Sequence, residues 1–143
     1  MKASIREIQD QIIEEFSWLE EWDEKYAYII ELGKKLPPLD EKYKVEANLI
    51  KGCQSQVWLN SYLKEDKVIY EADSDGSITK GLVSLLVQVL SEHSPDDILN
   101  ADLDFIDKIG MKQHLSPTRS NGLASMVKQI KMHALAYKAK MTK

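Results

Sequence analysis

Ile5, Ile8, Ile12, Phe16 and Leu19 recur every three or four residues, a spacing that predicts an amphipathic helix. Ser4 and Glu7 stand where a capping box would begin it. A second helix is predicted from Trp22, with Tyr26, Ile29, Ile30 and Leu32 on its buried side and Pro37-Pro38 ending it. Leu39 to Glu46 reads as a connection with room for one helical turn. The period then shortens. Asn48 to Lys51 is a short strand candidate. Val57 to Leu63 alternates, with Val57, Leu59 and Leu63 opposite Trp58, Asn60 and Tyr62. Val68, Tyr70 and Ala72 alternate again after the polar turn Glu65-Asp66-Lys67, which predicts a hairpin.

Asp73 to Ser77 reads as a loop and helix cap. The run from Ile78 to Glu92 is apolar on almost every side, the pattern of a helix buried at the centre of a domain. Ser94-Pro95 starts a short helix, and Leu103 to Ile109 forms another, closed by Gly110. Ser116-Pro117 opens the last one, where Leu123, Met126, Val127, Ile130, Ala134 and Tyr137 share a face. The expected fold class is α+β: a small antiparallel sheet of about three strands with helices packed on it, in one domain over residues 1–143.

Composition narrows this picture little, since 43% hydrophobic and 29% charged residues are an ordinary globular mix. No apolar leader follows Met1, and Leu82 to Leu90 is too short to span a bilayer, so no membrane association is expected. A single cysteine fits a reducing, cytoplasmic setting. The charge is lopsided. The net of −4 hides a stretch, residues 116–143, with six basic and no acidic side chains. Aromatic residues do not interleave with these cations, so nucleic acid is not expected as a partner; a solvated helix end explains them.

The candidate chemistry centres on Cys53, in Lys51-Gly52-Cys53-Gln54-Ser55-Gln56-Val57-Trp58. One thiol can form no internal disulfide and cannot supply the ligands of a cluster or a cysteine-type zinc site. It packs inertly, attacks something, or carries something. Gly52 frees the backbone and removes bulk beside the sulfur, while Gln54 and Ser55 can donate hydrogen bonds to a thiolate. Arg119, at a helix start, could favour an anionic sulfur or a partner's carboxylate. Asp73 and Asp75 could cap the Ile78 helix or meet a partner. His93, His114 and His133 match no metal spacing, so no metal or cofactor is expected, and His114 as a base for Cys53 is a minor alternative. Trp18, Trp22 and Trp58 are expected as core or rim anchors, and Gly81 as a point of close packing.

The motif Gly52-Cys53-Gln54-Ser55-Gln56-Val57-Trp58 resembles the signature of the SufE family of sulfur acceptors. Glu24-Lys25-Tyr26, Tyr28 to Gly33 and Leu36-Pro37 resemble the family's N-terminal stretch. Asp73-Ser74-Asp75 with Ile78 and Lys80-Gly81-Leu82 resembles its central acidic loop, and Gln113 to Ser120 with Gly122-Leu123 its C-terminal motif. Ala72 and Gly76 depart from the usual glycine and alanine. The resemblance implies a SufE/IscU-like fold and a protein that takes persulfide sulfur onto Cys53 from a pyridoxal-phosphate cysteine desulfurase (SufS-like), stimulates that enzyme, and passes the sulfur to a SufBCD-like iron–sulfur scaffold complex. It implies no turnover by the carrier alone. Gly52, Gln54, Ser55, Asp75 and Arg119 would form the surroundings of the sulfur or the partner contact. The alternatives are a cysteine-nucleophile hydrolase or transferase, and an adaptor with an inert thiol.

Overall fold

The computed structural model describes residues 2–141. Helix α1 spans Ile5–Ser17 and begins with the expected capping box, Ser4 Oγ accepting from the Glu7 N–H while Glu7 accepts from the Ser4 N–H. Ile5, Ile8, Ile12 and Phe16 are buried along one stripe. Trp18 departs from the expectation of an anchor: it is 76% exposed. Two residues beyond Phe16 at about 100° each place it roughly opposite the buried stripe. Helix α2, Trp22–Lys34, ends before Leu36, because a residue preceding a proline is pushed out of helical geometry.

The hairpin pairs β1, Val57–Lys64, antiparallel with β2, Lys67–Ser74, in a register running from Val57 opposite Ser74 to Lys64 opposite Lys67. Glu65 and Asp66 form the turn and sit at φ of 53° and 65°, the left-handed values a two-residue hairpin turn demands. Asp66 tolerates such a value, but Glu65 does not favour it. Replacing the pair with Asn-Gly is therefore expected to raise stability by about 1 kcal/mol, read as a higher urea midpoint; an unchanged or lower midpoint would show that the turn is not strained.

The sheet has two strands, not about three. The Asn48 to Lys51 candidate is only partly extended: Glu46–Asn48 form a 3₁₀ turn, and Leu49 makes one isolated bridge to Trp58. The Asn48 side chain donates to the Tyr43 carbonyl, which holds that turn, and the chain reverses soon afterwards at Gly52. Too few residues remain between the two for a strand.

Helix α3, Ser77–Leu90, is the centre of the molecule and packs against α1, α2, β2 and the last helix. It approaches α2 by backbone contact. A Cβ on Gly81 would lie 2.1 Å from the Ile29 carbonyl oxygen, and one on Gly33 would lie 2.8 Å from the Gly81 nitrogen. Short helices follow: α4, Pro95–Leu99; α5, Phe105–Lys108; and α6, Met111–His114. The long α7, Pro117–Met141, closes the fold. One continuous core runs from Ile5 to Ala134. Among the described residues, no helix is long and apolar enough to cross a membrane.

Candidate functional site

Cys53 sits on a six-residue loop, 51–56, whose base is closed by the Ile50 N–H donating to the Val57 carbonyl at 2.8 Å. Gly52 has a φ of 91°, a turn that an L side chain resists. A Cβ there would also meet Ser125 Oγ of α7 at 2.9 Å. The loop is thereby folded back onto the first turns of α7. Cys53 Sγ donates to the Gly122 carbonyl at 3.6 Å, and a Cβ on Gly122 would come within 3.3 Å of the sulfur. A glycine inside a helix costs about 1 kcal/mol relative to alanine, and here it makes room for the thiol.

Asp75 and Gln56 hold the back of the loop. The Gln56 N–H donates to Asp75 Oδ1 at 2.9 Å, and the Asp75 N–H donates to the Gln56 carbonyl at 3.3 Å. Asp75 thus does not cap α3, whose N-cap is Gly76 with no side-chain cap bond. Asp73 does not cap it either. It is buried and pairs with Lys44 at 3.1 Å and Lys80 at 3.3 Å. Burial acts to raise its carboxyl, but the Ser74 N–H and the two ammonium groups outweigh this and hold it below the ordinary carboxylate range. Ser55 lies where a Cβ on Gly76 would be, 2.2 Å from its Oγ, so the departure from alanine at Gly76 accommodates Ser55.

Cys53 lies between two hollows. The inner one is a tight cleft of about 10 Å³, lined by Cys53, Gln54, Thr79, Thr118, Arg119 and Met126 among others. The outer one, of about 210 Å³, runs along the loop from Glu46 to Gln56. Arg119 is therefore brought to the thiol from 66 residues away in sequence. Its backbone N–H donates to Ser116 Oγ, while its guanidinium makes no hydrogen bond or ion pair among the described residues. Gln54 and Ser55 make no hydrogen bond to Sγ among the described residues; the thiol's partner is the Gly122 carbonyl. Burial pushes the thiol above its ordinary range, so the resting sulfur is protonated at neutral pH.

Iodoacetamide should accordingly alkylate Cys53 about tenfold more slowly at neutral pH than an unfolded cysteine peptide, with a pH midpoint higher than the peptide's. Asp75→Ala, which frees Gln56, should speed the reaction. Wild-type protein reacting as fast as the peptide would show that the loop does not shelter the sulfur.

The histidines are elsewhere. His114 stacks on Trp22 with ring centroids 4.1 Å apart, His133 Nδ1 lies 2.7 Å from Ser61 Oγ, and His93 Nε2 lies 2.9 Å from the Ala3 carbonyl. Among the described residues, no group of three His, Cys, Asp or Glu could hold a metal ion. Sequence reasoning missed Gly122 and Gln56 as parts of the site. The helix-interior glycine was the available signal for the first; the second stands in the Cys53 motif, but its role was not legible because its partner, Asp75, lies across the hairpin.

These features define a class, the α+β domains that shelter one thiol on a short closed loop against a helix glycine. Within that class, the chain belongs to the SufE family, whose sequence profile, described as an Fe-S metabolism associated domain, matches residues 10–134. An uncharacterized SufE-like protein of Rhizobium meliloti is 42% identical over 130 residues, covering 87% of this chain and 93% of the relative. An uncharacterized SufE-like protein of Rhizobium etli is also 42% identical over 130 residues, covering 87% of this chain and 88% of the relative. The solution structure of a hypothetical protein from Thermus thermophilus shares the fold at a TM-score of 0.76 and 19% identity, over 92% of this chain and 96% of that one.

Proposed function

We propose that the protein is a sulfur acceptor and carrier: a cysteine desulfurase delivers sulfane sulfur to Cys53, and the Cys53 persulfide passes it to an iron–sulfur scaffold complex. The observation that carries the reading is the single thiol sheltered on a closed loop, donating to the Gly122 carbonyl in a hollow that Arg119 also lines. Such a sulfur is quiet alone and becomes a nucleophile once the loop swings out into water. The Cys53 thiolate attacks the outer sulfur of the donor's cysteine persulfide. One S–S bond forms, the donor's S–S bond breaks, and the donor cysteine leaves as a thiolate, so no outside oxidant or reductant is needed. Removing that sulfur frees the donor for its next turnover, which accounts for stimulation. When the loop returns, Arg119 holds the anionic persulfide.

A second thiol nearby would resolve the persulfide into a disulfide, and this chain has none. A hydrolase needs a base on its nucleophile, and no histidine or carboxylate hydrogen-bonds Sγ among the described residues. The test is mass spectrometry after mixing with cysteine and each cysteine desulfurase of the organism that makes the protein. Gain of one sulfur atom's mass on the Cys53 peptide is expected; no gain with any of them would sink the reading.

A further inference from the structure

The first turns of α7 form a wall between two hollows. Arg119 and Gly122 face the thiol, while Ser120 and Leu123 face the other way. There, Ile106, Leu115, Leu123, Ala124 and Val127 line an apolar cavity of about 160 Å³, together with Lys112 and Ser120. Ala124 is exposed, so the cavity opens to solvent. Aliphatic walls left wet are unfavourable, and such a hollow marks a seat for something apolar.

The surroundings say what accompanies that apolar group. The ammonium of Lys128, one turn beyond Ala124, makes no ion pair among the described residues. Lys112 has one, with Asp107 at 3.3 Å, between two exposed side chains. Residues 116–143 carry no acidic side chain, in a chain whose net charge is −4. The seat is therefore apolar in the middle, with Lys112 in its lining and Lys128, unpaired among the described residues, one turn along α7, and it is continuous with the thiol site through a single helix.

We infer that this cavity receives one large apolar side chain of the cysteine desulfurase, borne on a segment whose carboxylates meet Lys128 and Lys112. The inference rests on the sulfur-acceptor reading above. It means that the helix positioning Cys53 also registers the donor.

The test measures sulfur loading of Cys53 against carrier concentration for wild type, Ala124→Trp and Lys128→Glu. The tryptophan fills the cavity from its solvent side, and the charge reversal lies on an exposed surface where folding is not at stake. Ala124→Trp should raise the half-saturating concentration about tenfold or more, the effect of losing one buried apolar side chain. Lys128→Glu should raise it about fivefold and flatten its dependence on salt. If wild type loads and both variants load at the same half-saturation, this inference is wrong and the carrier reading stands. If wild type never loads, both fall. If wild type sediments as a dimer that Ala124→Trp dissociates, a second copy occupies the cavity and the inference is overturned.

Discussion

Cys53→Ser is expected to fold as wild type and to gain no sulfur from any desulfurase. The substitution exchanges one small hydrogen-bond donor for another at a half-buried position, so the Gly122 carbonyl keeps a partner and the change in stability should stay within about 1 kcal/mol. The chemistry is lost entirely. An alkoxyl oxygen is far too basic to be ionised near neutrality and cannot take over a sulfane sulfur as a thiolate does. The comparison is read by intact-mass spectrometry beside a urea melt of both proteins. Mass gain by the serine variant would place the acceptor elsewhere; full stimulation of the desulfurase by that variant without reductant would remove the carrier mechanism.

Gly81→Ala should be the most damaging conservative change in the molecule. The added carbon would lie 2.1 Å from the Ile29 carbonyl oxygen and 2.5 Å from Ile29 Cγ2. The first of these is backbone, so no rotamer change relieves it, and opposite stands Gly33, whose own Cβ position is blocked by the Gly81 backbone. Helices α2 and α3 would have to part along their length, opening the core around Ile29 and Leu82. Alanine's better helix propensity returns about 1 kcal/mol, while the forced separation costs more; a net loss of about 3 kcal/mol is expected, a large share of the roughly 5–15 kcal/mol that holds a domain together. A urea midpoint equal to wild type's would show that the two helices do not touch through backbone. A reactive, prematurely exposed Cys53 in the same variant is also expected, since Thr79 and Leu82 of α3 line the inner hollow.

Where a feature is written in neighbouring residues, the sequence carries it. The Ser4–Glu7 box, the alternation through Val57 and Val68, the all-round apolarity of Leu82 to Leu90 and the Ser-Pro starts of α4 and α7 each depend on a few adjacent positions, and each is found in the structure. The losses come where distant residues decide. Four residues from Asn48 have a strand's apolar content, but the reversal at Gly52 and the Asn48 bond to Tyr43 leave only one bridge. The acidic loop reads as a cap because anions favour helix starts; in the fold its first carboxylate meets Lys44, 29 residues earlier, and its second secures Gln56. Of the site, Cys53, Gly52 and Arg119 stand out by residue type and motif. That the sulfur would rest against the Gly122 carbonyl, and not on donors from Gln54 or Ser55, depends on how far the loop bends toward α7, which no local pattern encodes.

The closure between Ile50 and Val57 acts as a leash on the sulfur. Cys53 is the third residue beyond Ile50, so even a fully straightened arm carries its Cα only about 10 Å from that knot. A donor sulfur held deep in an enzyme's interior lies outside this radius unless the enzyme extends an arm of its own, and shortening the leash by one residue would restrict exchange to partners whose sulfur already stands at their surface.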